Sequence, residues 1–85
     1  MQVFIPSALL SYTQSPRVEA QGDTLNELLH DLDRQYPGLR FRVIDEQHHM
    51  RPHMRFFVNG DQVFSLEHAL QTSDTVHLVQ ALSGG

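Results

Sequence analysis

The sequence predicts an α+β fold, a mixed sheet of four to five strands with one main helix packed across one face. Three observations predict it. Apolar residues alternate with polar ones near both ends of the chain, in residues 2–5, 17–20 and 75–81, as half-buried strands require. One stretch between them, residues 24–36, instead repeats its leucines at helical spacing. Finally, Asn59-Gly60 comes directly after the strand-like run Met54-Arg55-Phe56-Phe57-Val58, a strong tight-hairpin signal.

Taken in order, Val3 and Ile5 share one face of the first strand and Phe4 the other, and Pro6 weakens the ladder because it has no N–H. Residues 7–15 are expected to form the broad turn of a hairpin, with 17–20 returning as its second strand and Gln21-Gly22-Asp23 ending it. Thr24-Leu25-Asn26-Glu27 fits a capping box, in which the Thr24 hydroxyl accepts from the Glu27 amide and the Glu27 side chain reaches back. Leu25, Leu28, Leu29, Leu32 and Tyr36 make the apolar stripe of the helix, which Pro37-Gly38 stops.

Residues 39–52 read as a long connection. Leu39, Phe41 and Val43 alternate with Arg40 and Arg42, so a short strand or a packed turn is expected there. Residues 54–58 are the clearest strand by composition, 62–64 pair back as a short edge strand, and 65–70 allow a turn or so of helix. Residues 75–81 form the last strand, able to lie parallel beside the first. Val3, Ile5, Val18, the leucines, Met54, Phe56, Val58, Leu70, Val76 and Leu78 then fill the core. Phe4, Phe57 and Val79 are left on the helix-free face as an apolar patch.

Composition narrows the functions. The 85 residues carry no internal repeat and make one domain, residues 1–80, followed by a flexible C-terminal tail, 81–85. The absence of cysteine removes disulfides, thiolate metal sites and a cysteine nucleophile. A net charge of −4 argues against nucleic acid as the partner. No apolar run is long enough to span a membrane, and the N-terminus lacks a basic signal-peptide region, so a soluble cytoplasmic protein is expected. His48, His49 and His53 lack the spacing of a metal site, and no catalytic residue is assigned because no nucleophile–base set or phosphate loop is present. Arg40, Arg42, Arg51 and Arg55 cluster around the same loop, either as a docking patch or as a solvated face. All six cations are arginines. An arginine-favouring genome explains this, and so does a chemistry in which an activated C-terminus must find no ε-amine on its own surface.

The chain ends Ala81-Leu82-Ser83-Gly84-Gly85. Glycine adds no Cβ and tolerates nearly all backbone angles, so such an end fits a channel too narrow for side chains. Five extended residues reach roughly 17 Å, enough to carry the terminal carboxylate into another protein's active site.

Together with Gly22-Asp23-Thr24-Leu25, Tyr36-Pro37-Gly38, Phe57-Val58-Asn59-Gly60 and Asp74-Thr75-Val76, this end resembles the ubiquitin-like (β-grasp) MoaD/ThiS family of sulfur carriers over the whole chain. Ile5-Pro6-Ser7-Ala8-Leu9 and the long loop before the Phe-Val-Asn-Gly strand look most like carriers of the CysO type, from whose pattern Gln80 and Ser83 depart.

The resemblance implies a co-substrate that is not itself an enzyme. Gly85 would carry an adenylate and then a thiocarboxylate, while Gly84, Ser83 and Leu82 thread into the partner; Phe4, Phe57, Val79 and Arg55 would dock it. The carrier would bind no cofactor of its own, ATP and magnesium belonging to an E1-like adenylating enzyme. Further implied partners are a sulfur donor (desulfurase, rhodanese or sulfide source), an acceptor enzyme such as a sulfhydrylase making cysteine or another sulfur metabolite, and a metallopeptidase. Two alternatives are a molybdopterin synthase small subunit and a ubiquitin-like modifier or binding module without sulfur chemistry.

Overall fold

The computed structural model describes residues 1–81. Its first strand, β1 (Gln2–Phe4), pairs antiparallel with β2 (Arg17–Glu19), Val3 lying opposite Val18. The segment between them is not an open turn. A 3-10 turn at Ser7–Leu9 leads directly into a one-turn helix, α1 (Leu10–Thr13). Its purpose is packing: Leu9 is fully buried, and Gln14 adopts a left-handed conformation (φ 57°) that ends the helix.

Helix α2 (Leu25–Gln35) is capped by Thr24, whose Oγ1 accepts from the Glu27 amide at 3.2 Å. The Glu27 carboxylate reaches back one residue further than a reciprocal box requires and accepts from the Asp23 amide at 3.3 Å. Leu25, Leu28, Leu29 and Leu32 are wholly buried against the sheet. Gly38, at φ 95°, turns the chain. Where the sequence left a short strand or a packed turn open, the next segment is a short helix: α3 (Leu39–Val43) buries Leu39 and Val43, four apart on one face, and leaves Phe41 half exposed.

Strand β3 (Met54–Val58) joins β4 (Asp61–Val63) through Asn59 and Gly60, both at positive φ (51° and 89°), the geometry of a primed hairpin turn. The edge strand thus begins one residue earlier than the sequence suggests and leaves Phe64 outside it, 78% exposed. Residues 65–68 form turns, and β5 (Thr75–Gln80) closes the sheet. Strand order is β2-β1-β5-β3-β4, with β1 and β5 parallel at the centre and every other pair antiparallel. This is the β-grasp arrangement: a mixed five-stranded sheet wrapped round one main helix. Every residue assigned to the core from the sequence is buried. Leu9, Ala20, Leu39, Val43, Ile44 and Val63 join them.

Two segments distant in sequence meet beside the hairpin. Asn59 donates from Nδ2 to Asp74 Oδ1 (2.9 Å) and accepts the Thr75 amide on Oδ1 (2.9 Å), while Asp74 Oδ2 accepts the Gln71 amide (2.8 Å). The Asn-Gly turn and the start of β5 are therefore one hydrogen-bonded unit.

Candidate functional site

The sheet's central strand leads to the end of the chain. Gln80 lies opposite Met54, and the Ala81 amide donates to the His53 carbonyl at 2.7 Å. The chain is thus held to β3 up to Ala81, beside the 51–53 turn. On its other side β5 pairs with β1 only as far as His77, opposite Phe4. Its last three residues, Leu78 to Gln80, are paired on the β3 side alone.

Register builds the helix-free face. Arg17, Phe4, His77, Phe57 and Gln62 stand in one line across β2, β1, β5, β3 and β4. The Phe4 and His77 rings are stacked, 4.4 Å between centroids and 5° from parallel. Val79, 38% exposed, lies opposite Arg55 in the next row towards the chain end. The structure therefore brings Phe4 and Phe57 together, and Val79 with Arg55 beside them. His77, between the two phenylalanines, was not singled out from the sequence, although the alternation of Val76 and Leu78 already placed it on this face with Val79. Leu82, Ser83, Gly84 and Gly85 lie outside the described residues.

Each of the four arginines around this loop has a partner, while Arg42 is exposed and Arg40, Arg51 and Arg55 are half-buried. Arg55 Nη1 donates to the carbonyls of Pro52 (2.6 Å) and Met54 (3.0 Å). Arg51 lies 4.6 Å above the Phe41 ring and donates from Nε to the Phe41 carbonyl (2.7 Å). Arg42 covers Tyr12 at 5.7 Å, and Arg40 Nη2 donates to Asn26 Oδ1 at 2.8 Å. Among the described residues no carboxylate is within ion-pair distance of these four. Arg51 ties the 51–53 turn to α3 and Arg55 bonds the Pro52 carbonyl of that turn, while Arg40 links α3 to α2 and Arg42 covers Tyr12 of α1.

Asp45 Oδ1 accepts the amides of His49 and Gln47 at 2.9 Å each, and these bonds, His49 first, hold its carboxyl below the ordinary aspartate range. Asp45 thereby ties the histidine loop locally. Among the described residues no group of three or more histidine, aspartate or glutamate side chains gathers to hold a metal ion. No helix of the described residues is long and apolar enough to cross a membrane.

Comparison with known proteins decides the family. Residues 4–85 match the ThiS family. The chain belongs to it. Within the family it is of the CysO type. The sulfur carrier protein CysO of Mycobacterium tuberculosis and that of Mycobacterium bovis are each 34% identical to it, over 98% of this chain and 96% of theirs. Among solved structures, the Amycolatopsis orientalis BexX/CysO complex superimposes with a TM-score of 0.90 at 28% identity, covering 99% of this chain and 98% of the other. Mycobacterium tuberculosis CysO gives 0.89 at 31%, covering 95% and 98%. The small archaeal modifier protein SAMP1 of Haloferax volcanii gives 0.80 at 27%, covering 100% and 98%.

Proposed function

We propose that this ThiS-family chain is a sulfur carrier whose Gly85 carboxylate is the reactive group. It is a co-substrate and not an enzyme, as its kinship with the CysO carriers supports. The observation that carries the reading is the Ser83-Gly84-Gly85 end on a CysO-type β-grasp body.

The chemistry arises from the weakness of a carboxylate as an electrophile. An E1-like partner, holding ATP and magnesium, joins the Gly85 carboxylate oxygen to the α-phosphorus of ATP and releases pyrophosphate. Sulfide released by a donor attacks the acyl carbon, the bond to AMP breaks, the sulfur's proton passes to solvent, and Gly85 becomes a thiocarboxylate. In a biosynthetic enzyme of the kind that makes cysteine or a related sulfur metabolite, its sulfur then displaces the leaving group from an electrophilic carbon of a precursor, forming a thioester. Cleavage of the Gly85 acyl bond by water restores the carboxylate, a step suited to a metallopeptidase where the acyl group has moved to an amine.

This chain's own residues present and dock. Residues 1–80 are the handle and 81–85 the arm, with Leu82, Ser83 and Gly84 occupying the partner's channel. Phe4, His77 and Phe57 offer a flat aromatic row to the partner, and Val79 and Arg55 flank the point where the arm leaves. Aromatic and arginine side chains at the centre of a patch are the usual anchors of an interface.

Reconstitution tests the reading. The carrier is incubated with its E1-like partner, ATP and a sulfide donor, and its intact mass is taken. The expected product is heavier by the exchange of one oxygen for sulfur, and a chain lacking Gly85 shows no gain. An unchanged mass where a known carrier is converted would refute the assignment.

A further inference from the structure

We infer that the chain is chemically closed to its own activated end: residues 1–85 offer that acyl group no amine within its reach, so a partner's nucleophile or water consumes it. The inference rests on the carrier reading for its biological meaning, and on composition and geometry for its substance.

An activated Gly85 carbonyl is attacked most readily by thiols and unprotonated amines. The chain contains no cysteine and no lysine. Its six cations are arginines, whose guanidinium groups stay protonated and do not acylate in water. Two of them, Arg51 and Arg55, flank the 52–53 turn where the chain end leaves the sheet. Lysines at these positions would place amines beside the activated carbonyl.

The remaining amine is that of Met1, and the fold sets it apart. It donates to the Ala20 carbonyl at 2.8 Å and pairs with the Glu19 carboxylate at 3.5 Å. Parallel pairing sets Gln2 opposite Thr75, so Met1 stands level with Asp74, at the opposite end of β5 from Ala81. Seven residues of strand separate the two levels, roughly 23 Å at about 3.3 Å each. The four residues after Ala81 span at most about 14 Å. The activated Gly85 of a chain therefore falls short of its own Met1 nitrogen.

Histidine is the other nucleophile nearby, and His53 is exposed beside Ala81. An acyl-imidazole formed there is itself an activated acyl group and passes on to water or a thiol, leaving no stable product. The consequence holds whatever placed arginine at each site: the chain cannot cap itself, and it cannot be linked into isopeptide chains of its own kind.

The test installs the activated end chemically, so it does not depend on the partner. The full chain is made as a Gly85 α-thioester by intein cleavage with a small thiol and held at mildly alkaline pH, and its mass is followed. Amide formation joins an amine nitrogen to the Gly85 carbon, breaks the C–S bond and releases the thiol with the amine's proton.

The wild-type chain is expected to give the hydrolysed acid and no cyclised product. His53→Lys places an amine within reach and is expected to give a cyclised monomer one water lighter than the acid. At an effective concentration of the order of millimolar, this forms about 10²- to 10³-fold faster than any linkage between chains at micromolar protein. Gln21→Lys, at the Met1 end, is expected to give no cyclised product, only slow dimers that scale with concentration. A cyclised or dimeric wild-type product forming as fast as the His53→Lys product would overturn the inference, and so would a His53→Lys chain that only hydrolyses. Failure of the sulfur reconstitution would instead overturn the carrier reading and leave this property standing.

Discussion

Gly22 shows how closely this fold is fitted at a single residue. A Cβ there would lie 2.4 Å from the Leu28 nitrogen and 2.8 Å from the Glu27 carbonyl carbon. Both are backbone atoms of α2, so neither can swing away. Gly22→Ala is expected to destabilise the protein by about 1–3 kcal/mol, the range for overpacking, read as a fall in thermal midpoint. Asp74 makes a second prediction. The Gln71 amide and then the Asn59 side chain hold its carboxyl below the ordinary aspartate range. Folding thus favours its ionised form. The contribution is full above the unfolded value of about 3.9 and is lost as pH falls through the lower folded value. Asp74→Asn should lower the urea midpoint at neutral pH, and the gap from wild type should shrink as acid protonates the native carboxyl. A gap that stays constant with pH would show that the charge plays no part.

The elements differ in how plainly the sequence announces them, and the reason is length. Helix α2 has three turns, a cap and a leucine stripe, so helical spacing had no rival there. The Asn59-Gly60 hairpin was equally legible, because so few residues accept positive φ twice in succession. Helix α3 is five residues long. Over that span Leu39 and Val43 satisfy a strand's alternation as well as a helix's four-residue repeat. Only the exposure of Phe41, which the fold decides, separates the two. The 3-10 turn and α1 were hidden for the same reason, Leu9 being their one fully buried anchor. Leu39→Ala should therefore cost as much as a core leucine elsewhere, about 2–5 kcal/mol, measurable by denaturant unfolding. A loop residue would lose far less.

The helix-free face makes a separate prediction about binding. Its central row comes directly from strand alternation, whereas His77's place in it emerged only with the register. Phe4→Ser with Phe57→Ser removes two aromatic surfaces from the proposed dock while leaving the opposite, helix-facing core untouched. Affinity for the E1-like partner should fall by about 30-fold or more, corresponding to at least about 2 kcal/mol, in a titration calorimetry or surface-binding measurement. The thermal midpoint should move little. Undiminished binding would place the dock elsewhere on the molecule.

For the molecule as a whole, the sheet's order explains the shape of the proposed function. Strand β5 lies at the centre, between β1 and β3, and its last residues stay paired with β3 up to the proposed arm. The candidate site divides the same way. Its body residues could be located from alternation and lie on one face, while the role proposed for Gly85 rests on its chemistry and on kinship with the CysO carriers. The most direct measurement is fragmentation mass spectrometry on the carrier purified from its own cells under non-reducing, mildly buffered conditions. The account predicts a sulfur-for-oxygen exchange confined to the fragment ending in Gly85. Sulfur found on any other residue, or a Gly85 recovered joined to substrate lysines with no thiocarboxylate, would contradict it.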